Sequence, residues 1–223
     1  MVILFFGPPG SGKGTQAQRI TDWLRIPAIS TGDLFRAEAA AGTSLGIAAQ
    51  RVMSRGGLVG DETVNRLLEK RLSEKDIWNG FLLDGYPRTI QQAEFLDHLL
   101  EHRGFPEPTV LHLDVPRDII VARLSGRRRC PVCETTYNVH LKPPSESGYC
   151  DREGAPLEIR DDDRPEVVEE RLEQYDRLTN PLIRFYEHRD YQRLDGDRAP
   201  EDVAYQVVQQ LEARLVKVRQ AAR

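Results

Sequence analysis

The chain has 223 residues, 39% of them hydrophobic and 30% charged, with a formal net charge of −4. That size allows one α/β domain with insertions or two small domains. No apolar run approaches the ~18–20 residues a membrane span requires, and the acidic balance lacks a nucleic-acid binder's basic footprint. Neither a membrane nor a nucleic-acid partner is expected. The three cysteines cannot all pair with one another; they suggest a metal site in a reducing, cytoplasmic setting.

The chain opens on a buried strand, Val2-Ile3-Leu4-Phe5-Phe6, which runs directly into Gly7-Pro8-Pro9-Gly10-Ser11-Gly12-Lys13-Gly14-Thr15. A glycine turn between a strand and an amphipathic stretch (Ala17, Ile20, Trp23, Leu24) points backbone N–H groups at a phosphate. The following helix adds its positive end, and Lys13 adds a point charge for the outer phosphates. The segment therefore reads as a nucleoside triphosphate cradle. Gly14 stands where such loops usually place a hydroxyl beside the metal, and the hydroxyl moves to Thr15. Mg²⁺ must then rely more on water and nucleotide oxygens, which favours a small two-nucleotide kinase over a motor or GTPase switch.

Further strands are expected near 27–30 and at 81–84, 110–115 and 191–194. Helices are expected at 13–24, 33–41, 44–54, 61–72, 89–101, 116–125, 164–188 and 201–218. Val203, Val207, Leu211, Leu215 and Val218 line one face of the last. Pro165 and Pro200 suit first-turn helix positions. Strands alternating with helices predict an α/β fold, a parallel sheet covered on both faces. Residues 30–59 and 126–163 break the alternation and read as insertions.

Ser30-Thr31-Gly32-Asp33 reads as a helix start with Thr31 or Asp33 as cap, and Arg36 follows. Asp84 ends a buried strand, so it should stand beside the phosphate loop at the sheet's carboxyl edge, where it can hold water around Mg²⁺. Arg88 can reach a phosphate with its fork, and Thr89 should cap a helix that carries Gln92 toward the same cleft. Arg123, Arg127, Arg160 and Arg171 have an electrostatic reason to gather there. Two phosphate chains must approach within ~3–3.5 Å for transfer. Each pair of like charges at ~4 Å costs about 4 kcal/mol at an effective dielectric near 20. One lysine and one metal cannot offset that, whereas a ring of arginines can. Asp161, Asp162 and Asp163 could pair with these arginines while the cleft is open; Arg128 and Arg129 read as solvated charge.

Cys130-Pro131-Val132-Cys133 and Cys150-Asp151-Arg152-Glu153 have the two-plus-two pattern of structural zinc knuckles, with Glu153 where a fourth cysteine is usual. Structural Zn²⁺ and a metal-free segment both remain open on this pattern, and iron or cobalt could occupy such thiols.

In order and spacing these motifs resemble the adenylate kinase family, in its form with a long, cysteine-bearing lid. The resemblance implies a five-stranded P-loop kinase core (1–29, 60–125, 164–223), an AMP-binding insertion (30–59) and a lid (126–163). It implies ATP + AMP ⇌ 2 ADP with Mg²⁺, by a monomer. Gly10, Ser11, Gly12, Lys13, Gly14 and Thr15 would hold ATP phosphates, with Arg123 and Arg127 matching triphosphate-contacting arginines and the Arg198 backbone against the donor base. AMP would lie among Thr31, Arg36, Gly57, Leu58 and Val59 on one side. The Gly85-Tyr86-Pro87-Arg88 turn and Gln92 would form the other, Gln92 pairing with the adenine edge. Arg160 and Arg171 would span both substrates, and Cys130, Cys133, Cys150 and Glu153 fall on the lid metal positions. Two alternatives remain, GTP as donor and a non-catalytic nucleotide- or zinc-binding module.

Overall fold

The computed structural model describes residues 1–221, with side chains through Leu215; the expected apolar position Val218 lies outside the described side chains. The chain alternates as expected, from β1 (Val2–Phe6) and α1 (Lys13–Leu24) to β2 (Ala28–Ser30), α2 (Thr31–Ala40), α3 (Ser44–Met53) and α4 (Asp61–Arg71). Next come β3 (Phe81–Asp84), α5 (Ile90–His102), β4 (Thr109–Asp114) and α6 (Arg117–Ser125). A two-stranded ribbon, β5 (Arg127–Arg129) and β6 (Thr136–Asn138), precedes α7 (Pro165–Gln174), α8 (Pro181–Tyr186), β7 (Tyr191–Asp195) and α9 (Pro200–Ala221).

Five strands pair in parallel in the order β2-β3-β1-β4-β7. Every residue of β1 is buried, which is why it reads as an unbroken apolar run rather than an alternating one. Val2, Leu4 and Phe6 face one layer with residues of α4, α5 and α8, while Ile3 and Phe5 face the other with α1 and α9. Phe5 is level with Asp84 in the β1–β3 register. The phosphate loop and the Asp84 turn therefore leave the same edge of the sheet side by side.

Two elements differ from expectation for local reasons. Ser30, and neither Thr31 nor Asp33, caps α2 by accepting from the Asp33 N–H at 3.3 Å. The Thr31 hydroxyl donates to the Gly85 carbonyl at 3.1 Å. The stretch expected as one helix over 164–188 is broken by a π-turn at Tyr175–Thr179, where the Asn180 N–H reaches the Tyr175 carbonyl at 2.8 Å. Pro181 supplies the cause, because its ring cannot pack against the preceding turn of a continuous α-helix.

Candidate active site

The phosphate loop turns on Gly10, whose φ of 82° is costly for any other residue. A Cβ there would also stand 2.8 Å from Leu124 of α6. Lys13 curls back over this loop and donates to the carbonyls of Gly7 (2.7 Å) and Pro8 (2.8 Å). Enclosure by the cleft draws its pKa down to about 8; the Asp84 carboxylate opposes that shift, and Arg88, Arg171 and Arg127 add to it. Burial likewise raises the Asp84 pKa against the pull of Lys13. Gly14 faces this carboxylate, and a Cβ on it would lie 3.9 Å from Asp84 Oδ2. The space a hydroxyl would fill is thus left beside Asp84.

Arg88 is fixed at both ends. Its Nε donates to the Gly85 carbonyl at 2.8 Å, and its backbone N–H donates to Gln92 Oε1 at 2.8 Å. The turn before it contains a cis Tyr86–Pro87 bond, and the buried Tyr86 hydroxyl donates to Asn65 Oδ1 at 2.7 Å. Thr89 caps α5 as expected, accepting from the Gln92 N–H at 3.1 Å. Arg36 pairs with Asp33 at the mouth of the α2–α3 insertion. Gly57 packs on Val52, a Cβ at this glycine falling 3.1 Å from Val52 Cγ1, and Leu58 and Val59 continue the loop into α4.

The other arginines converge around two carboxylates. Asp163, 3% exposed, accepts from Arg127 Nε at 2.6 Å and from Arg171 at 3.0 Å. Asp162 takes both prongs of Arg160 at 2.9 Å and lies 3.3 Å from Arg171. Burial alone would raise the Asp162 pKa, but Arg171 and Arg160 hold it well below the usual carboxylate range. Asp161 instead pairs with Arg164 on the surface. Arg123 donates to the Gly196 carbonyl at 2.9 Å, which anchors α6 to the turn after β7. The Arg198 side chain points to solvent and pairs with Asp195 at 2.7 Å.

In the 126–163 insertion the sulfurs of Cys130, Cys133 and Cys150 lie within 4.8 Å of one another. The two cysteine turns match bond for bond. The Cys130 N–H donates to Thr135 and Glu134 N–H to Cys130, while the Cys150 N–H donates to Ala155 and Gly154 N–H to Cys150. Glu134 and Gly154 both take positive φ, 59° and 62°. Glu153 thus occupies in the second turn the place Cys133 holds in the first. Its carboxylate is not among the converging ligand atoms; the side chain is exposed, where a carboxylate keeps its hydration. Cys130, Tyr137 and Cys150 form a small buried core here, with Cys133, Ala155 and Leu157 half-buried against it. The thiol cluster therefore fits a crosslinking metal.

Three residues escaped the sequence. Asp61 accepts from Gln92 and Thr89, Thr179 donates to the Arg88 carbonyl, and Asn138 donates to the Arg123 carbonyl. Asp61 and Thr179 look like ordinary helix-start and helix-stop residues, and nothing local marks their distant partners.

A parallel sheet with a glycine phosphate loop, a strand-end carboxylate and a belt of arginines from two insertions and the core defines a P-loop nucleotide kinase. The adenylate kinase family model matches residues 5–191. The adenylate kinase of Anaeromyxobacter dehalogenans (strain 2CP-1) is 46% identical over 91% of this chain and 95% of its own. That of Oceanobacillus iheyensis is 47% identical over 89% and 93%, and that of Caldanaerobacter subterraneus subsp. tengcongensis 45% identical over 91% and 92%. The chain belongs to the adenylate kinase family, and its reaction is phosphoryl transfer between ATP and AMP.

Proposed function

We propose that ATP and AMP lie in line across the carboxyl edge of the sheet, with Lys13, Arg88, Arg127, Arg160 and Arg171 neutralising the transferring phosphoryl group. The observation that carries this reading is geometric: Arg127, Arg160 and Arg171 converge on Asp162 and Asp163, and Arg88 is fixed on the Asp84–Gly85 turn beside the phosphate loop that holds Lys13. Residues Gly10 to Thr15, Arg123, Arg127 and the Arg198 backbone hold the donor. Thr31, Arg36, the Gly57–Val59 loop, the Gly85–Arg88 turn and Gln92 hold the acceptor, with residues 30–59 and 126–163 closing over the two nucleotides.

The chemistry asks for position and charge, since the attacking phosphate oxygen is already anionic and needs no base. Asp84, with the open face of Gly14 beside it, would hold Mg²⁺ through its hydration shell, and the ion would supply positive charge to the phosphates. Asp162 and Asp163 occupy the arginines until phosphates compete for them, which keeps the guanidinium groups aimed into the cleft. Closure excludes water and so favours transfer over hydrolysis, a gating role for which the adenylate kinase lid is an established example.

A structural Zn²⁺ held by Cys130, Cys133 and Cys150, with Glu153 swinging in as fourth ligand, would make the lid move as one piece. The free thiols suit a cytoplasmic protein, and among the described residues no helix is long and apolar enough to cross a membrane. One chain carries the whole arginine belt, so a monomer suffices.

Steady-state assays with MgATP and each of AMP, GMP, CMP and UMP test the assignment. AMP should be preferred, and a preference for CMP or UMP would refute the acceptor site. Replacing ATP by GTP in the same assay separates the two donors.

A further inference from the structure

Gln92 is only 2% exposed, and both ends of its amide are engaged. Oε1 accepts from the Arg88 backbone N–H at 2.8 Å, and Nε2 donates to Asp61 Oδ1 at 2.7 Å. Each partner works one way only, because a peptide N–H cannot accept and an ionised carboxylate cannot donate. A half-turn of the amide would set N–H against N–H and oxygen against oxygen. Asp61 is itself held, its Oδ2 accepting from the Thr89 hydroxyl at 2.9 Å. The same Thr89 oxygen accepts the Gln92 backbone N–H at 3.1 Å, closing a ring between the first turns of α4 and α5.

We propose that Asp61 sets the purine specificity of the acceptor site by fixing the direction in which the Gln92 amide meets the base. This rests on the reading above that Gln92 faces the AMP base. After its two internal bonds the amide retains one lone pair on Oε1 and one N–H on Nε2. In the fixed direction that edge complements a 6-aminopurine, with the N–H aimed at ring N1 and the oxygen at the 6-amino group. A 6-oxopurine reverses both roles, offering an oxygen at position 6 and an N–H at position 1, so it meets like against like. A glutamine free to turn would accept either base. Its neighbours, and Asp61 above all, make the choice.

The test compares AMP with IMP as acceptors, in Asp61→Leu, Asp61→Asn and Gln92→Leu proteins, with circular dichroism as the folding control. In Asp61→Leu, kcat/KM for AMP should fall about tenfold or more, through KM, while that for IMP rises because the amide can now turn to meet it. Asp61→Asn can donate as well as accept, so it no longer fixes the amide and should narrow the AMP-to-IMP ratio in the same direction. Should Asp61→Leu fail to fold, Asp61→Ala carries the same expectation. An unchanged AMP-to-IMP ratio, or a parallel loss with both acceptors, overturns the proposal while Gln92→Leu still collapses the ratio. A ratio untouched by Gln92→Leu overturns the assignment of Gln92 to the base, and the proposal with it.

Discussion

The hydroxyl of Thr179 donates to the backbone carbonyl of Arg88 across 3.1 Å, joining the π-turn after α7 to the turn that presents the acceptor-side arginine. Arg88 is thus braced by Gly85, Gln92 and Thr179 at once. Positioning of this kind converts directly into rate, because misplacement of a charged group weakens its contact with the transition state.

Thr179→Val removes the donor at constant shape and strands a carbonyl, a cost of about 1–3 kcal/mol. We expect kcat to fall roughly tenfold, with Thr179→Ser restoring most of it. Equal kcat in the valine protein, measured at saturating nucleotide, would deny Thr179 any positioning role.

Lys13 gives a pH signature of unusual sign. Its pKa of about 8 in the folded protein lies below the ordinary 10.5. The charged amine binds phosphate, so ATP affinity should be flat below pH 8. Above it, affinity should weaken by up to about tenfold per pH unit. Folding stability runs the opposite way. Between about 8 and 10.5 the unfolded chain binds the extra proton, so stability rises with pH through that window. Isothermal titration of ATP from pH 7 to 10, beside urea melts, reads both; constant affinity across the range would remove Lys13 from the phosphate site.

The sheet, the phosphate loop and the order of the site segments were legible because each has a local cause. The apolar run of β1, the glycine turn, Asp84 at a strand end and the Thr89 cap all announce themselves within a few residues. What stayed hidden depends on partners distant in the chain. Ser30 caps α2 because it is the last extended residue before the helix, and the Thr31 hydroxyl inside the first turn donates to Gly85, a distant partner that no local rule reveals. Asp61 and Thr179 carry ordinary helix-terminus identities, and only the packing of α4, α5 and the π-turn makes them supports of the site. The arginine belt was foreseen from charge, but its sorting onto Asp162 and Asp163, with Asp161 left to Arg164, required the 3₁₀ turn at Asp161–Asp163.

His112 predicts the acid limb of stability. It sits in β4, 5% exposed, between the hydroxyls of Tyr191 (2.6 Å from Nδ1) and Tyr175 (3.3 Å from Nε2). Burial lowers its pKa to about 4, against the pull of Asp114 and with the push of Arg193 and Lys13. The unfolded chain therefore takes up the proton first, and stability falls as pH drops from about 6.5 to 4. The full span is worth about 3 kcal/mol. His112→Gln should flatten that part of the profile in urea unfolding at pH 7, 5.5 and 4. A parallel profile would show that other groups carry the acid sensitivity.

The cysteine turns bear on how the 126–163 segment holds its shape. The Tyr137 hydroxyl lies 3.5 Å from Cys150 Sγ and accepts the Asp151 N–H at 2.9 Å, so the ring and the second turn are tied together. The first turn is joined to the second by the sulfurs, Cys133 and Cys150 standing 3.5 Å apart, and by the antiparallel bridge between Arg129 and Glu158 that flanks both turns. A metal there would crosslink the two turns where hydrophobic burial is too small to do so. Cys130→Ser should abolish stoichiometric zinc in elemental analysis and lower Tm by several degrees. Phosphate chemistry at Lys13 and Arg88 should persist at low temperature. Glu153→Cys completes a four-thiol shell and should raise Tm and slow zinc loss to a chelator. Protein purified without chelator that contains no metal, and melts at the same temperature as Cys130→Ser, would mean that the turns are held by their backbone bonds alone.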